Sequence, residues 1–319
     1  MTKKAAALFT TGIGFLSLSI PSFNDLLMQI LYKLFDVTYP SQINTYVGII
    51  TGFILVITAF LITYNENKNK KTLAIIGLDT IQVSKKLKNP VIINIIDNIN
   101  KLSKKNNKSI ISYYIDSIEN TINNYSNFDI SYFGIAPIPF IALAGINYRK
   151  IPIANHYEFF QKDDNIKPLS QINPFYPKLF CEKKIEENSK CTIVTIETTC
   201  RISNNDLLQF KNANSYRFYL KKAKTNAIFS EKQLENYSEK ITNELYKISN
   251  DCTQTIYLLA ASQSSLIFEI FRKLNLNRSV EIIVCNYSKN AKFRYNWGLS
   301  ILKNNNINYI EMREINGKH

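Results

Sequence analysis

Few residues in this 319-residue chain have types and spacings suited to covalent chemistry. The five cysteines (Cys181, Cys191, Cys200, Cys252 and Cys285) are odd in number and never at metal-ligand spacing, so they read as free thiols of a reducing compartment. His156 is the one histidine besides His319, which argues against a histidine-built zinc site and against a Ser–His–Asp triad that His156 does not serve. No carboxylate pair or activated nucleophile stands out, and the chain is expected to be neither an enzyme nor a cofactor protein. Binding chemistry remains. Helix starts are expected at Pro137–Ile138 and at Ser264–Ser265, each directly after a strand, and backbone N–H groups at such junctions receive anions. Ser262, Gln263 and Ser264 add hydroxyl and amide groups at the second junction.

Charge points the same way. The net charge is +14, which calls for an acidic partner: a phosphate-rich ligand, nucleic acid or an anionic membrane surface. The run 46–64, bounded by Tyr46 and Tyr64, has no charged residue and is long enough to cross a bilayer. A first span over about 5–28 precedes it, giving a transmembrane hairpin within residues 1–64. Lys3 and Lys4 lie before the first span and Lys68, Lys70 and Lys71 after the second, while the loop 36–45 has no Lys or Arg. The positive-inside rule therefore places both termini in the cytoplasm of a multi-pass inner-membrane protein. In the region 23–35, Asp25, Gln29 and Lys33 fall at i, i+4 and i+8 opposite an apolar face of Phe23, Leu26, Leu27, Ile30, Leu31 and Leu34. That segment reads either as a helix lying in the membrane interface or as a polar stripe lining a pore.

Residues 65–108 form a basic connector and the start of a cytosolic domain, with a helix expected from Pro90 on the stripe Ile92, Ile95, Ile96, Ile99 and Leu102. A second helix is expected over 109–125. Next come a strand at 129–136, a helix at 138–146 and a strand at 150–160, the order of a parallel α/β sheet. The pattern recurs as a strand at 255–262, a helix at 264–276 capped by Ser264 or Ser265, and a strand at 280–288. Aligned by element, GIAPIPFIALAG faces LAASQSSLIFEI and ANHYEFF faces VCNYSKN. Between the copies lie a strand at 192–200, a basic stretch at 211–224 and a helix at 231–248. The apolar stretch YFGIAPIPFIALAG is too short for a third span and has no G-x-G-x-x-G, so it reads as buried strand and helix.

The stretches YFGIAPIPFIALAG, IPIANHYEFF, IYLLAASQSSLIFEIFRKLN and VEIIVCNYSKNAKFRYNWGLSI together resemble the SAVED domain, two fused CARF-like Rossmannoid subdomains, over about residues 129–302. The sensor domain is expected over 109–319, with subdomains at about 109–190 and 191–319. With two spans in front, the architecture is similar to two-transmembrane SAVED effectors of CBASS, a bacterial anti-phage system. The resemblance implies that a cyclic di- or trinucleotide, with a trinucleotide favoured, is bound and drives homo-oligomerisation. The spans then disrupt membrane lipid in abortive infection, with no DNA or RNA duplex as partner. Alternatives are a CARF-type membrane effector of type III CRISPR answering cyclic oligoadenylate and a membrane-anchored enzyme that cleaves the cyclic nucleotide.

On that resemblance, ligand contacts are expected from Ala136, Pro137, Ile138 and Pro139 at the first junction and Ser262, Gln263, Ser264 and Ser265 at the second. His156, Tyr157 and Phe160 end one following strand; Asn286, Tyr287 and Lys289 end the other. Tyr157, Tyr287 and Tyr295 are offered as base-stacking rings, with core packing as the alternative role. Lys224 is a phosphate neighbour, with Lys222, Arg217, Lys292 and Arg294 as further cations.

Overall fold

The computed structural model describes residues 3–18, 42–68, 70–77, 87, 89–102, 106–125, 127–149, 151–171, 173, 175–251, 254–275, 280–301 and 307–312. The chain divides into two compact bodies, residues 1–70 and 71–319.

In the first body, α1 (Lys3–Leu18) and α2 (Gln42–Lys68) pack as an antiparallel pair. They come close at two glycines: a Cβ on Gly12 would lie 2.9 Å from the Gly52 carbonyl oxygen, and one on Gly52 would lie 2.9 Å from that of Gly12. Small residues let two apolar helices bring their backbones together in this way. Phe9 and Phe60 meet edge to face at 6.0 Å. Thr10, Thr58 and Thr63 each donate a hydroxyl hydrogen to a carbonyl four residues back, so none presents an unsatisfied group on an apolar surface. Among the described residues no helix is long and apolar enough to cross a membrane. The described side chains of α2 begin at Ile49, so the charge-free run 46–64 extends beyond them. Asp25, Gln29 and Lys33 lie outside the described residues.

The second body holds two sheets. The first runs β2-β1-β3-β4-β5, with β1 (Lys70–Ile76), β2 (Pro90–Asn94), β3 (Asp129–Ile135), β4 (Ile153–Phe160) and β5 (Asn165–Pro168). The second runs β12-β11-β10-β9-β7-β8-β6, with β6 (Phe180–Lys184), β7 (Thr192–Glu197), β8 (Asn214–Tyr219), β9 (Ile256–Ala261), β10 (Ile282–Tyr287), β11 (Tyr295–Ile301) and β12 (Ile307–Glu311). The helices are α3 (Ile96–Lys101), α4 (Asn107–Tyr125), α5 (Ile138–Asn147), α6 (Glu231–Asp251) and α7 (Ser264–Lys273). Read in chain order, β1-β2-α4-β3-α5-β4-β5 and β7-β8-α6-β9-α7-β10-β11 occupy equivalent places. The duplication is thus larger than the strand–helix–strand unit visible in the sequence.

Three local expectations change. Pro90 opens strand β2, not a helix, because β-branched Val91, Ile92 and Ile93 pair in parallel with β1. The basic stretch 211–224 contains β8, whose alternating Tyr216 and Phe218 are buried while the residues between them are less so. Strand β6 falls in the range expected for the first subdomain but pairs with β8 in the second sheet.

The two halves meet through α5 and α7. Helix α5 packs on β10 of the second sheet, and α7 on β3 and β4 of the first. Residues Phe140 to Ile146 of α5 are all buried, which accounts for the apolar stretch noted in the sequence. A Cβ on Gly145 would lie 2.4 Å from the Phe268 carbonyl oxygen, so this crossing requires glycine. Tyr132 stacks on Phe268 at 3.7 Å across the same boundary.

Candidate functional site

In both halves the C-terminal strand ends carry the junctions expected from the sequence. At the second, the Thr198 and Thr199 N–H groups both donate to the Ala261 carbonyl, at 3.1 and 3.0 Å. The hydroxyls of Thr198 and Ser262 are 2.7 Å apart. The Lys224 N–H donates to the Thr198 carbonyl at 3.2 Å, which sets the Lys224 backbone next to the residue bearing one of the two hydroxyls, and Lys224 is exposed. Ser262 and Lys224, distant in sequence, are therefore brought together. At the first junction the Gly77 N–H donates to Ile135 O at 2.8 Å, and a Cβ on Gly77 would meet Pro137 Cδ at 2.9 Å. Ala136, Pro137 and Ile138 are partly exposed there, while Pro139 is buried.

Several candidate contacts are engaged by the protein itself. Gln263, buried, accepts from the Ile228 N–H at 2.6 Å and donates to its carbonyl at 2.9 Å, clamping the segment before α6. Ser264 and Ser265 are the first helical residues of α7, and the N-cap is Gln263, which makes no side-chain cap bond. The Ser265 N–H instead donates to Glu158 Oε1 at 3.0 Å, so a carboxylate from β4 occupies the positive end of α7. Burial lifts the Glu158 carboxyl to about 6 against hydrogen bonds from Ser265 and the nearby His156 charge.

His156 is buried between the halves. Its Nδ1 lies 2.8 Å from Glu231 Oε2 and its Nε2 3.0 Å from Glu269 Oε1. Its backbone N–H donates to Glu231 Oε1 at 2.7 Å. Burial favours the neutral ring, but the two carboxylates outweigh it and push the pKa up to about 9. Arg272 completes the cluster, with Nε 2.7 Å from Glu269 Oε1 and a bond to the Ile151 carbonyl. The sheet registers also revise the expected alignment. Tyr132 pairs with His156 and Leu258 with Val284, so His156 answers buried Val284, not Asn286.

Tyr157 packs with Phe133 and Ile166 on the outer face of the first sheet. Phe160 is partly exposed under the Lys167 ammonium at 5.6 Å. Tyr295 is buried, held by Gln209 through both its N–H and its carbonyl. Asn286 is half-buried, Tyr287 at the end of β10 and Lys289 after it are exposed, and Tyr287 is the most exposed of the expected stacking rings. Arg294 lies 3.5 Å from Asp206. Among the described residues no group of three His, Cys, Asp or Glu side chains is placed to hold a metal.

Sequence reasoning missed the buried Glu197 at the end of β7. Its carboxylate receives Arg217 Nε at 2.9 Å, Arg201 Nε at 3.1 Å and the Thr195 hydroxyl at 2.7 Å. Arg201 also lies 3.9 Å over the Tyr219 ring. The signal available was an acid ending a strand of β-branched residues and followed by arginine at i+4. Glu158, Glu231 and Glu269 were missed because the Ser265 N–H and His156 that they hold lie across the halves, the i+3 pair of Glu269 with Arg272 being the one local partner.

The duplicated α/β halves, joined through their paired helices, define a class of duplicated Rossmannoid domains. The family described as "SMODS-associated and fused to various effectors sensor domain", SAVED, matches residues 114–301, and the chain belongs to that family. Among solved structures it is similar to the Acinetobacter baumannii Cap4 SAVED/CARF-domain containing receptor with the cyclic trinucleotide 3'3'3'-cAAA, at 9% identity and TM-score 0.49, covering 84% of this chain and 64% of that one. The same receptor with 2'3'3'-cAAA matches at 10% identity and TM-score 0.48, with the same coverage. The Moraxella osloensis Cap4 receptor matches at 12% identity and TM-score 0.45, covering 90% of this chain and 63% of that one. The chain thus spans less than two thirds of the length of these receptors. No curated protein matches it.

Proposed function

We propose that this chain is a sensor of a cyclic oligonucleotide in a CBASS-type anti-phage system, with a membrane hairpin as its output. The observation that carries the reading is membership of a sensor-domain family over residues 114–301. The Thr198–Ser262 hydroxyl pair beside Lys224, at the C-terminal strand ends where α/β sheets bind ligands, supports it. A cyclic trinucleotide is the favoured ligand. In the test, full-length protein in detergent is heated with cyclic di-, tri- and tetranucleotides. One ring raises the unfolding temperature by several degrees; no rise with any ring would sink the sensing reading. The ligand is expected to be recovered intact after prolonged incubation, and product analysis checks that.

Support for the membrane part comes from α2, where Ile50, Phe53, Ile54, Ile57, Phe60, Leu61 and Tyr64 are each more than half exposed. A surface so apolar needs cover by lipid or protein. In this reading the hairpin sits in the inner membrane with both termini cytoplasmic, and ligand-driven homo-oligomers breach the bilayer. Dye-loaded vesicles carrying the protein should leak when the stabilising ring is added. Changing Asp25, Gln29 and Lys33 together to Leu should abolish leakage if they line a pore; undiminished leakage would remove the pore assignment.

A further inference from the structure

The two strand-end loops share one backbone plan and opposite chemistry. The Gly77 N–H to Ile135 O bond matches the Thr198 N–H to Ala261 O bond. The first helical residues, Ile138 and Ser264, keep the same spacing from those acceptors. Position by position, Gly77 answers Thr198, Ala136 answers Ser262, Pro137 answers Gln263, Ile138 answers Ser264 and Pro139 answers Ser265. The first set is wholly apolar, and Pro137 and Pro139 have no N–H to donate. The second set is wholly polar. The contrast extends beneath the loops. By the sheet registers Glu158 answers Asn286: the Ser265 N–H needs an acceptor and has Glu158, whereas Pro139 needs none.

An anion over the first loop would lose its hydration for the Ala136 and Ile138 N–H groups at most, with no hydroxyl among these residues to add to them, while a flat base face loses little against proline and isoleucine. Over the second loop Glu158 already holds the Ser265 amide, so an anion must be met by hydroxyls and by a cation. Resting on the reading that these strand ends hold a cyclic oligonucleotide, we infer that recognition is divided between the halves. The second half takes phosphate and ribose oxygens of the ring through Ser262, Thr198 and Lys224. The first takes a nucleobase face through Ala136, Pro137 and Ile138 by contact alone. One orientation of the ring follows, because turning it over would set a phosphate on the apolar loop.

The test is calorimetry on full-length protein in detergent with 3'3'3'-cAAA, cyclic di-AMP and cyclic tetra-adenylate as probes, at several salt concentrations. With the tightest ring, S262A and K224M each weaken binding by about ten-fold or more, as expected for hydrogen bonds to a charged group. K224M also makes binding less sensitive to salt than in wild type, as loss of a cation facing a phosphate must. I138A weakens binding and leaves that sensitivity as in wild type. Wild-type affinity in S262A and K224M, or a salt sensitivity that falls in I138A and not in K224M, overturns the division while leaving sensing intact. If no ring binds the wild-type protein, the sensing reading falls and the division with it. Circular dichroism of each variant separates a lost contact from a lost fold.

Discussion

Replacing His156 with glutamine removes a cation that ties carboxylates on α6 and α7 to strand β4 of the other half. Burial favours the neutral ring, yet the Glu231 and Glu269 carboxylates raise its pKa from 6.5 to about 9. A value raised on folding adds stability that is fully present below about pH 6.5 and is lost as pH rises through about 9. At about 1.4 kcal/mol per unit, a rise of about 2.5 units is worth on the order of 3 kcal/mol. Glu269 is held down to about 2 by His156 and Arg272, although burial pulls it upward. The His156–Glu269 attraction enters both shifts, so the two are not summed. Glu158, raised to about 6 by burial, titrates mainly below this window and contributes little within it. Trp297 is the single tryptophan and lies edge-on to Phe140 of the other half at 6.2 Å, so its fluorescence reports this joint. Urea denaturation of wild type should lose about 3 kcal/mol between pH 6.5 and 9.5. H156Q should start lower by a similar amount and fall much less, its residual loss near pH 9 coming from the buried Cys285 thiol, which burial keeps protonated in the fold and which ionises on unfolding. A level wild-type profile, or an equal fall in H156Q, would refute the ion-pair account.

Three further outcomes are expected. Gly145→Ala places a methyl against the Phe268 carbonyl and should lower stability by about 1–3 kcal/mol, read as a lower urea midpoint at unchanged slope. Gln263→Ala leaves the Ile228 N–H and carbonyl without their partner and should lower stability by about 1–3 kcal/mol; hydrogen exchange at Ile228 should speed up. Arg217→Met leaves the buried Glu197 with Arg201 as its remaining cation and should cost about 3 kcal/mol at pH 7, read as a lower urea midpoint.

The periodicities of apolar residues alone determined the β3-α5-β4 and β9-α7-β10 units, their repetition and the junctions at Pro137 and Ser264, because side-chain spacing and helix starts are local properties. The same local reasoning misjudged Pro90, where the helical stripe and the β-branched run compete and pairing with β1 decides. It also passed over β8, whose alternation is hidden among lysines. Tertiary structure alone decided which side chains at the junctions are open. Ser262, Lys224 and Tyr287 are exposed or partly so, whereas His156, Gln263 and Tyr295 are held by partners 75, 35 and 86 residues away in the chain. Burial of a polar group depends on whether a distant segment supplies its hydrogen bonds, and no local pattern records that. The register of β4 and β10 is of the same kind. Sliding a strand by one residue exchanges its faces, and only the neighbouring strand fixes which residue faces the ligand end.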